Sequence, residues 1–175
     1  MKYKLFDLIY TGINSNKPFS IRYPKGNCDA YNHNSDPLLI DIGKWEYLSK
    51  GKNVALLAVG SMLKTCMEIK ANIEDCLNEK ITIINARFVK PMDENMLNEI
   101  SKNHKTIFTF EEGSEIGGFG SSVLNYYSKI KESPKIYIKG IQDSFIEQGT
   151  REELLEIAGL DKNSILNFII DKIKK

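Results

Sequence analysis

The sequence predicts a three-layer α/β domain, in which a mostly parallel sheet carries helices on both faces. The first observation is the continuous apolar run Val54–Val59 (VALLAV), which is typical of a strand buried on both faces of a sheet. The second is the stretch from Met62 to Leu77, whose apolar positions recur close to the 3.6-residue period of a helix. The third is that strand-like and helix-like segments alternate to the end of the chain, as in sheets with helical crossovers.

The composition favours a folded domain with a buried core. Hydrophobic residues make up 42% and charged residues 27% of the 175 residues, which fits neither a disordered nor a fibrous protein. The net charge of +1 gives no reason to expect nucleic acid or a membrane as a partner. No apolar run approaches the roughly 20 residues that cross a bilayer, and the first residues lack the apolar block of a signal peptide.

The first part of the chain is typical of the end of a preceding domain. Lys4–Ile13 is predicted to be a helix and Phe19–Tyr23 a strand, and a polar, turn-rich stretch follows them. One helix and one strand cannot bury a core alone, so we expect the chain to be a segment of a longer protein. The predicted divisions are the tail of a preceding domain (1–31), a linker (32–37) and the main domain (38–175).

Beyond the linker, apolar runs predict strands and helical periodicity predicts helices. Ser61 stands where it can cap the first of these helices, and Asp93 and Glu94 stand near the positive N-terminus of the next. The predicted strands are Leu38–Ile42, Trp45–Leu48, Val54–Val59, Ile81–Asn85, Thr106–Phe110 and Lys135–Lys139. The predicted helices are the one after Ser61, Asp93–Asn103, Gly120–Ile130, Arg151–Ile157 and Ser164–Ile173.

The carboxyl ends of the strands are the usual place for a ligand in such a sheet. The glycine-rich segment Glu111–Ser121 is the most suggestive end, because it leads into a helix N-terminus whose N–H groups can bind a phosphate. It matches no common phosphate-loop pattern, and its three glutamates would repel an anion, so tight packing is favoured. Glu111 and Glu112 are adjacent and point opposite ways on an extended chain, which argues against a paired-carboxylate acid/base site.

The cysteines and histidines do not predict a metal or redox site. Cys28, Cys66 and Cys76 form no CxxC pair, and Cys66 and Cys76 fall on the apolar stripe of one predicted helix, which favours reduced core cysteines. His33 lies in the linker and His104 at a predicted helix end. Cys28 and His33 supply at most two ligands, fewer than a metal site needs.

The best chemical candidate is the turn Ser20–Gly26, which places two cations after a strand. Arg22 offers a planar fork that matches a phosphate, and Lys25 offers a mobile point charge, with Pro24 stiffening the turn. From chemistry alone, a phosphate site and a surface cation after an edge strand are equally supported.

Five blocks of sequence stand out together by their order and spacing. The blocks are IRYPKGN (21–27), VALLAVGS (54–61), NARFVKPMD (85–93), EEG with GGFGS (111–113 and 117–121), and DSFIEQGTREEL (143–154). In this order and spacing they resemble the 1-deoxy-D-xylulose-5-phosphate synthase family. The resemblance covers essentially the whole chain and only the C-terminal quarter of that enzyme. It identifies residues 1–31 as the tail of the pyrimidine-binding domain and 38–175 as the transketolase-type C-terminal domain.

The resemblance implies a transferase that uses thiamine diphosphate and Mg²⁺ to condense pyruvate with glyceraldehyde 3-phosphate. In the family an N-terminal domain holds the diphosphate and the metal, and a central-domain glutamate activates the cofactor. Neither is found in this sequence, so we expect no catalytic, cofactor-binding or metal-binding residue and no bound cofactor in this chain. Arg22 and Lys25 match the turn that binds the acceptor phosphate. The family commonly has arginine in place of Lys25, so Arg22 is the first candidate.

The resemblance also implies the partners and the place of the protein. The C-terminal domain is expected to pack against the rest of the same polypeptide and to contribute to a homodimer, and this chain alone is expected to be inactive. The bacterial cytoplasm is the first expectation for the parent enzyme and the plastid stroma the second. Two alternatives remain open, namely the C-terminal domain of a 2-oxo-acid dehydrogenase β subunit and a free-standing α/β binding domain.

Overall fold

The structure is a computed structural model that describes residues 2–23 and 36–174. Its strands form one five-stranded sheet in the order β1-β3-β2-β4-β5. Strand β1 pairs antiparallel with β3, and the other three neighbouring pairs are parallel, which confirms the predicted, mostly parallel sheet. The strands are β1 (Glu46–Ser49), β2 (Asn53–Ala58), β3 (Thr82–Asn85), β4 (His104–Ser114) and β5 (Lys135–Ile141).

Helices cover both faces of the sheet, as predicted. Among the described residues, none of them is long and apolar enough to cross a membrane. The helices are α1 (Lys2–Asn14), α2 (Met62–Leu77), α3 (Glu94–Ser101), α4 (Phe119–Tyr127), α5 (Arg151–Ile157) and α6 (Lys162–Lys174).

Two apolar cores lie on opposite faces of β2, because alternate side chains of a strand point to opposite sides. Val54, Leu56 and Ala58 join the core that contains residues of α2 and α6. Ala55 and Leu57 join the core that contains residues of α3 and α4. A strand that is buried on both faces needs apolar residues at every position, which is why the run 54–58 shows no alternation.

The N-terminal segment packs on the second core without adding a strand. Leu8 of α1, Phe19 and Ile40 pack against that core, and the Ile40 N–H donates to the Thr11 hydroxyl at 2.9 Å. The predicted strands Phe19–Tyr23 and Leu38–Ile42 are therefore wrong. Their apolar residues are used for packing, and a strand needs a neighbouring strand that these segments do not meet among the described residues.

Asp93 joins the start of α3 to the edge of the sheet. Its Oδ1 accepts the Met96 N–H at 3.1 Å, so it caps the helix as its position in the sequence predicts. Its Oδ2 accepts the Trp45 N–H at 3.0 Å, just before β1 begins. The buried Trp45 indole also donates to the Phe88 carbonyl at 2.7 Å. These bonds fix the antiparallel edge strand, which the sequence places at Trp45–Leu48 and the structure one residue later.

The cysteine prediction is half confirmed. Cys66 is buried in the core of α2, and burial raises the pKa of its thiol well above the usual range. Cys76 is exposed, and in the last turn of α2 it is the neighbouring Leu77 that packs against the core. Cys28 and His33 lie outside the described residues.

His104 connects three segments at the amino-terminal end of the sheet. Its Nδ1 lies 2.8 Å from the Ile100 carbonyl, which can only accept, so Nδ1 carries the proton. Its Nε2 lies 2.8 Å from the Thr82 hydroxyl, and the Gly51 N–H donates to that same hydroxyl at 2.9 Å. Burial lowers the pKa of His104 from its ordinary value, because the charged ring would lose its hydration.

We predict that His104 makes the protein less stable in mild acid. Below the ordinary histidine pKa the unfolded chain binds a proton that folded His104 does not, so the free energy of unfolding falls as the pH falls. One such group contributes a slope of at most about 1.4 kcal/mol per pH unit. His104→Gln keeps a donor and an acceptor but removes the titration. Urea unfolding between about pH 7.5 and 5 should give a smaller pH dependence for the variant. Equal dependence in both proteins would contradict the prediction.

Candidate functional site

The carboxyl end of β4 leaves the regular register of the sheet. Phe110 pairs with Lys139 of β5, but the next pair is Ser114 with Ile141, so residues 111–113 stand outside the ladder with β5. The structure extends this strand beyond the predicted Thr106–Phe110 to Ser114. The two adjacent glutamates singled out by the sequence lie in this irregular part, which is typical of the way bulges redirect side chains near sites.

Glu111 points into the protein and holds the start of α4. The residue is 4% exposed, and its Oε1 accepts the Gly120 N–H at 2.9 Å. Gly118 leaves no room for a side chain, because a Cβ there would overlap the Ser114 carbonyl and the Glu111 carboxylate. The helix N-terminus that could have bound a phosphate thus binds an internal carboxylate. Tight packing of the glycine-rich segment is confirmed.

Glu112 points the other way, toward the end of β2. Its Oε1 accepts a hydrogen bond from the Ser61 hydroxyl and pairs with the Arg151 guanidinium. Ser61 therefore stands at the N-cap of α2 without making the predicted capping bond. Strands β2 and β4 are the neighbours between which the chain changes direction across the sheet, the point at which α/β sheets usually bind ligands. Here the side chains of the protein itself span that crevice.

Arg151 is the first residue of α5 and is placed by the cap of that helix. Thr150 accepts the Glu153 N–H at 3.3 Å, while its own N–H donates to the Glu153 carboxylate at 2.8 Å, forming a capping box. The hydrogen bonds from the Thr150 backbone and side chain lower the pKa of Glu153. The cap sets the direction in which the chain enters α5, and Arg151 leaves this start toward Glu112.

Arg22 reaches the same place from the N-terminal segment. Its Nη2 donates to the backbone carbonyl of Glu112 at 3.1 Å. Two of the chain's three arginines therefore contact one glutamate, while Arg87 donates to the Lys44 carbonyl at 2.7 Å elsewhere. Lys25, the second predicted phosphate ligand, lies outside the described residues. The sequence singles out Arg22 and Glu112 separately but does not predict that they are in contact. The one available hint is that the chain has only three arginines, so each of them is a candidate for a specific role.

The carboxylates of the described residues are not arranged to hold a divalent cation such as Mg²⁺. Across residues 2–23 and 36–174, no group of three or more His, Cys, Asp or Glu side chains is placed to hold a metal ion. The carboxylates of Glu111 and Glu112, which would otherwise suit a divalent cation, are taken up by Gly120, Ser61 and Arg151. At the neighbouring strand end, Glu115 likewise accepts the Gly140 N–H at 3.1 Å.

We predict that Glu111 is required for stability. Glu111→Ala removes a hydrogen bond to a buried carboxylate and leaves the Gly120 N–H without its partner, which should cost about 1.5–3 kcal/mol of unfolding free energy. Glu111→Gln keeps an acceptor and loses the charge at the helix N-terminus, a smaller cost of about 0.3–1 kcal/mol. The exposed Glu132→Ala is the control and should stay within about 0.5 kcal/mol. Urea unfolding measures all three, and equal costs at 111 and 132 would contradict the assignment.

The sequence matches a family model and many curated proteins. Residues 43–165 match the model of the transketolase C-terminal domain. The 1-deoxy-D-xylulose-5-phosphate synthase of Aquifex aeolicus is 37% identical over 174 residues, which is 98% of this chain and 27% of that protein. The synthase of Clostridium perfringens (strain 13) is 40% identical over 159 residues, covering 90% of this chain and 25% of its own length. The chain thus spans about a quarter of the length of these relatives.

Solved structures show the same fold. A split-gene transketolase, described as an inactive β4 tetramer, matches with a TM-score of 0.69 at 27% identity, over 77% of this chain and 43% of that one. Campylobacter jejuni transketolase matches with a TM-score of 0.56 at 18% identity, over 78% of this chain and 20% of that one, which supports the fold alone. The chain belongs to the transketolase C-terminal domain family and is homologous to the C-terminal quarter of 1-deoxy-D-xylulose-5-phosphate synthases.

Proposed function

We propose that the chain is the C-terminal quarter of a synthase that condenses pyruvate with glyceraldehyde 3-phosphate to 1-deoxy-D-xylulose 5-phosphate. The observation that carries the proposal is the extent of the match. The transketolase model begins at residue 43, whereas the similarity to the Aquifex synthase covers 98% of the chain. It therefore includes most of the segment before residue 43, which carries Arg22 and lies outside the transketolase model.

Within that enzyme, the chain supports the site and other parts of the polypeptide carry out the reaction. The resemblance to the synthases implies that the parts preceding this segment hold the thiamine diphosphate and Mg²⁺. The engagement of the strand-end carboxylates by internal partners agrees with that division. We place the enzyme in the bacterial cytoplasm, since the relatives compared above are bacterial.

The outer face of α1 supports a packing role. Four of its apolar side chains are exposed at helical spacing, and Ile13 reaches 75% exposure. Such a face suits contact with the remainder of the pyrimidine-binding domain, whose tail we assign to residues 1–31. The partner of this face is the remainder of the same polypeptide, and the complete enzyme is a homodimer. The four side chains are Phe6, Ile9, Tyr10 and Ile13.

Arg22 is the residue of this chain that we assign to the acceptor phosphate. Its guanidinium is exposed, and the bond to the Glu112 carbonyl uses one donor of the five that arginine carries. The remaining donors can form the paired contacts that suit a phosphate dianion. Lys25, three residues further along the sequence, is the second cation that we assign to the phosphate.

We predict that Arg22→Ala weakens only the use of the phosphorylated substrate. Loss of one hydrogen bond between charged groups should lower kcat/KM for glyceraldehyde 3-phosphate by about 10- to 150-fold. Pyruvate carries no phosphate, so its KM should change little. Lys25→Ala should have the same selectivity and a smaller effect, because a flexible ammonium makes fewer fixed contacts. The measurement is steady-state kinetics of the complete synthase with each substrate varied in turn.

Arg87→Ala is the matched control, because Arg87 likewise donates to a backbone carbonyl, but to that of Lys44 and not to that of Glu112. It should leave the KM for glyceraldehyde 3-phosphate unchanged. If the pyruvate KM rises as much as the aldehyde KM in Arg22→Ala, then Arg22 stabilises the fold or the cofactor and the phosphate assignment is wrong.

A further inference from the structure

Glu112 contacts Arg22 through its backbone and Arg151 through its side chain. The carbonyl accepts the Arg22 Nη2 at 3.1 Å, and the carboxylate meets Arg151 and Ser61. Through its carbonyl and its side chain, Glu112 thus joins the segment that carries Arg22 to the ends of β2 and β4 and to the start of α5. The two arginines approach the residue through different atoms, so they do not compete for it.

The β4 strand brings its backbone close to Arg22. Residues 111–113 leave the register with β5, and this irregular stretch carries the Glu112 carbonyl that Arg22 contacts. A Cβ added to Gly113 would stand 3.5 Å from the Arg22 Nη1 and closer still to the Glu111 carboxylate. The absence of a side chain at 113 keeps the strand end narrow where the guanidinium lies.

The Glu112 side chain is held more firmly than a surface carboxylate. It is 25% exposed and shares one oxygen between a hydroxyl on the α2 side and a guanidinium on the α5 side. An exposed ion pair of this kind adds little to stability. Its effect is on geometry, because two partners on different elements fix the direction of the Glu112 peptide and hence of its carbonyl.

We propose that Glu112 is a positioning residue for Arg22, and that Ser61 and Arg151 act through it. This inference rests on the proposed role of Arg22 in binding the acceptor phosphate. Arginine has many rotamers, and a side chain that must be ordered when the ligand binds weakens binding. The Glu112 carbonyl orders one edge of the guanidinium beforehand and leaves the other edge for the phosphate.

Nuclear magnetic resonance of the 175-residue chain tests the coupling without any enzyme assay. The chain has three arginines, so its spectrum contains three Nε–H resonances, which Arg→Lys variants assign. Glu112→Gln should shift the Arg151 resonance directly and the Arg22 resonance through the peptide. Ser61→Ala, which keeps the ion pair, should also shift Arg22. Glu68→Gln, the same change in an exposed pair with Lys64, should leave Arg22 unmoved.

The backbone amide spectrum shows in each case that the variant is folded. An Arg22 resonance that stays in place in both Glu112→Gln and Ser61→Ala would overturn the positioning role. This outcome is independent of the proposed function, because it does not depend on the substrate of the complete enzyme.

Kinetics of the complete synthase provide the second test. Glu112→Gln should raise the KM for glyceraldehyde 3-phosphate by about 2- to 12-fold, the cost of ordering one long side chain, with little change in kcat or in the pyruvate KM. In the Arg22→Ala background the same substitution should have no further effect. An equal effect in both backgrounds would show that Glu112 does not act through Arg22. If Arg22→Ala itself leaves the KM for glyceraldehyde 3-phosphate unchanged, the proposed phosphate-binding role of Arg22 is wrong instead.

Discussion

The opposite direction of two adjacent side chains at the end of β4 is the constraint on which the carboxyl edge of this domain depends. On an extended chain Glu111 and Glu112 cannot face the same side. The first enters the layer beneath α4 and accepts the Gly120 N–H, and the second turns to Ser61 and Arg151. The N-termini of α2, α4 and α5 are thereby tied to one point of the sheet.

This arrangement explains why a fold that often binds ligands at this edge has little room for one here. The crevice between β2 and β4 contains the Glu112 carboxylate, and the N-terminus of α4 contains the Glu111 carboxylate. Under the proposed function, the C-terminal domain supports the enzyme, and its carboxyl edge needs only to bind neighbouring segments of the chain. The hydrogen bond from Arg22 to the Glu112 carbonyl connects this edge to the residue that we assign to the substrate phosphate.

Much of the fold follows from the sequence. Burial on both faces gives β2 its unbroken apolar run, and burial of one face gives α2 its helical period. Asp93 as a cap and the packed glycine-rich segment also follow from local chemistry. The strands expected at Phe19–Tyr23 and Leu38–Ile42 do not form, since apolar residues in short segments cannot distinguish strand pairing from packing. The convergence of Arg22 and Arg151 on Glu112 joins residues far apart in the chain, and local patterns carry no information on such contacts.

The central claim is that this chain supports a cofactor site that other parts of the enzyme form. The most direct measurement is thermal unfolding of the 175-residue chain with thiamine diphosphate and Mg²⁺, with Mg²⁺ alone as the control. A ligand at 100 times its Kd stabilises a protein by about 2.7 kcal/mol, which raises the Tm of a chain of this size by about 5–11 °C. The account predicts no change in Tm. A rise in that range would show that the chain itself contains the cofactor site, contrary to the account.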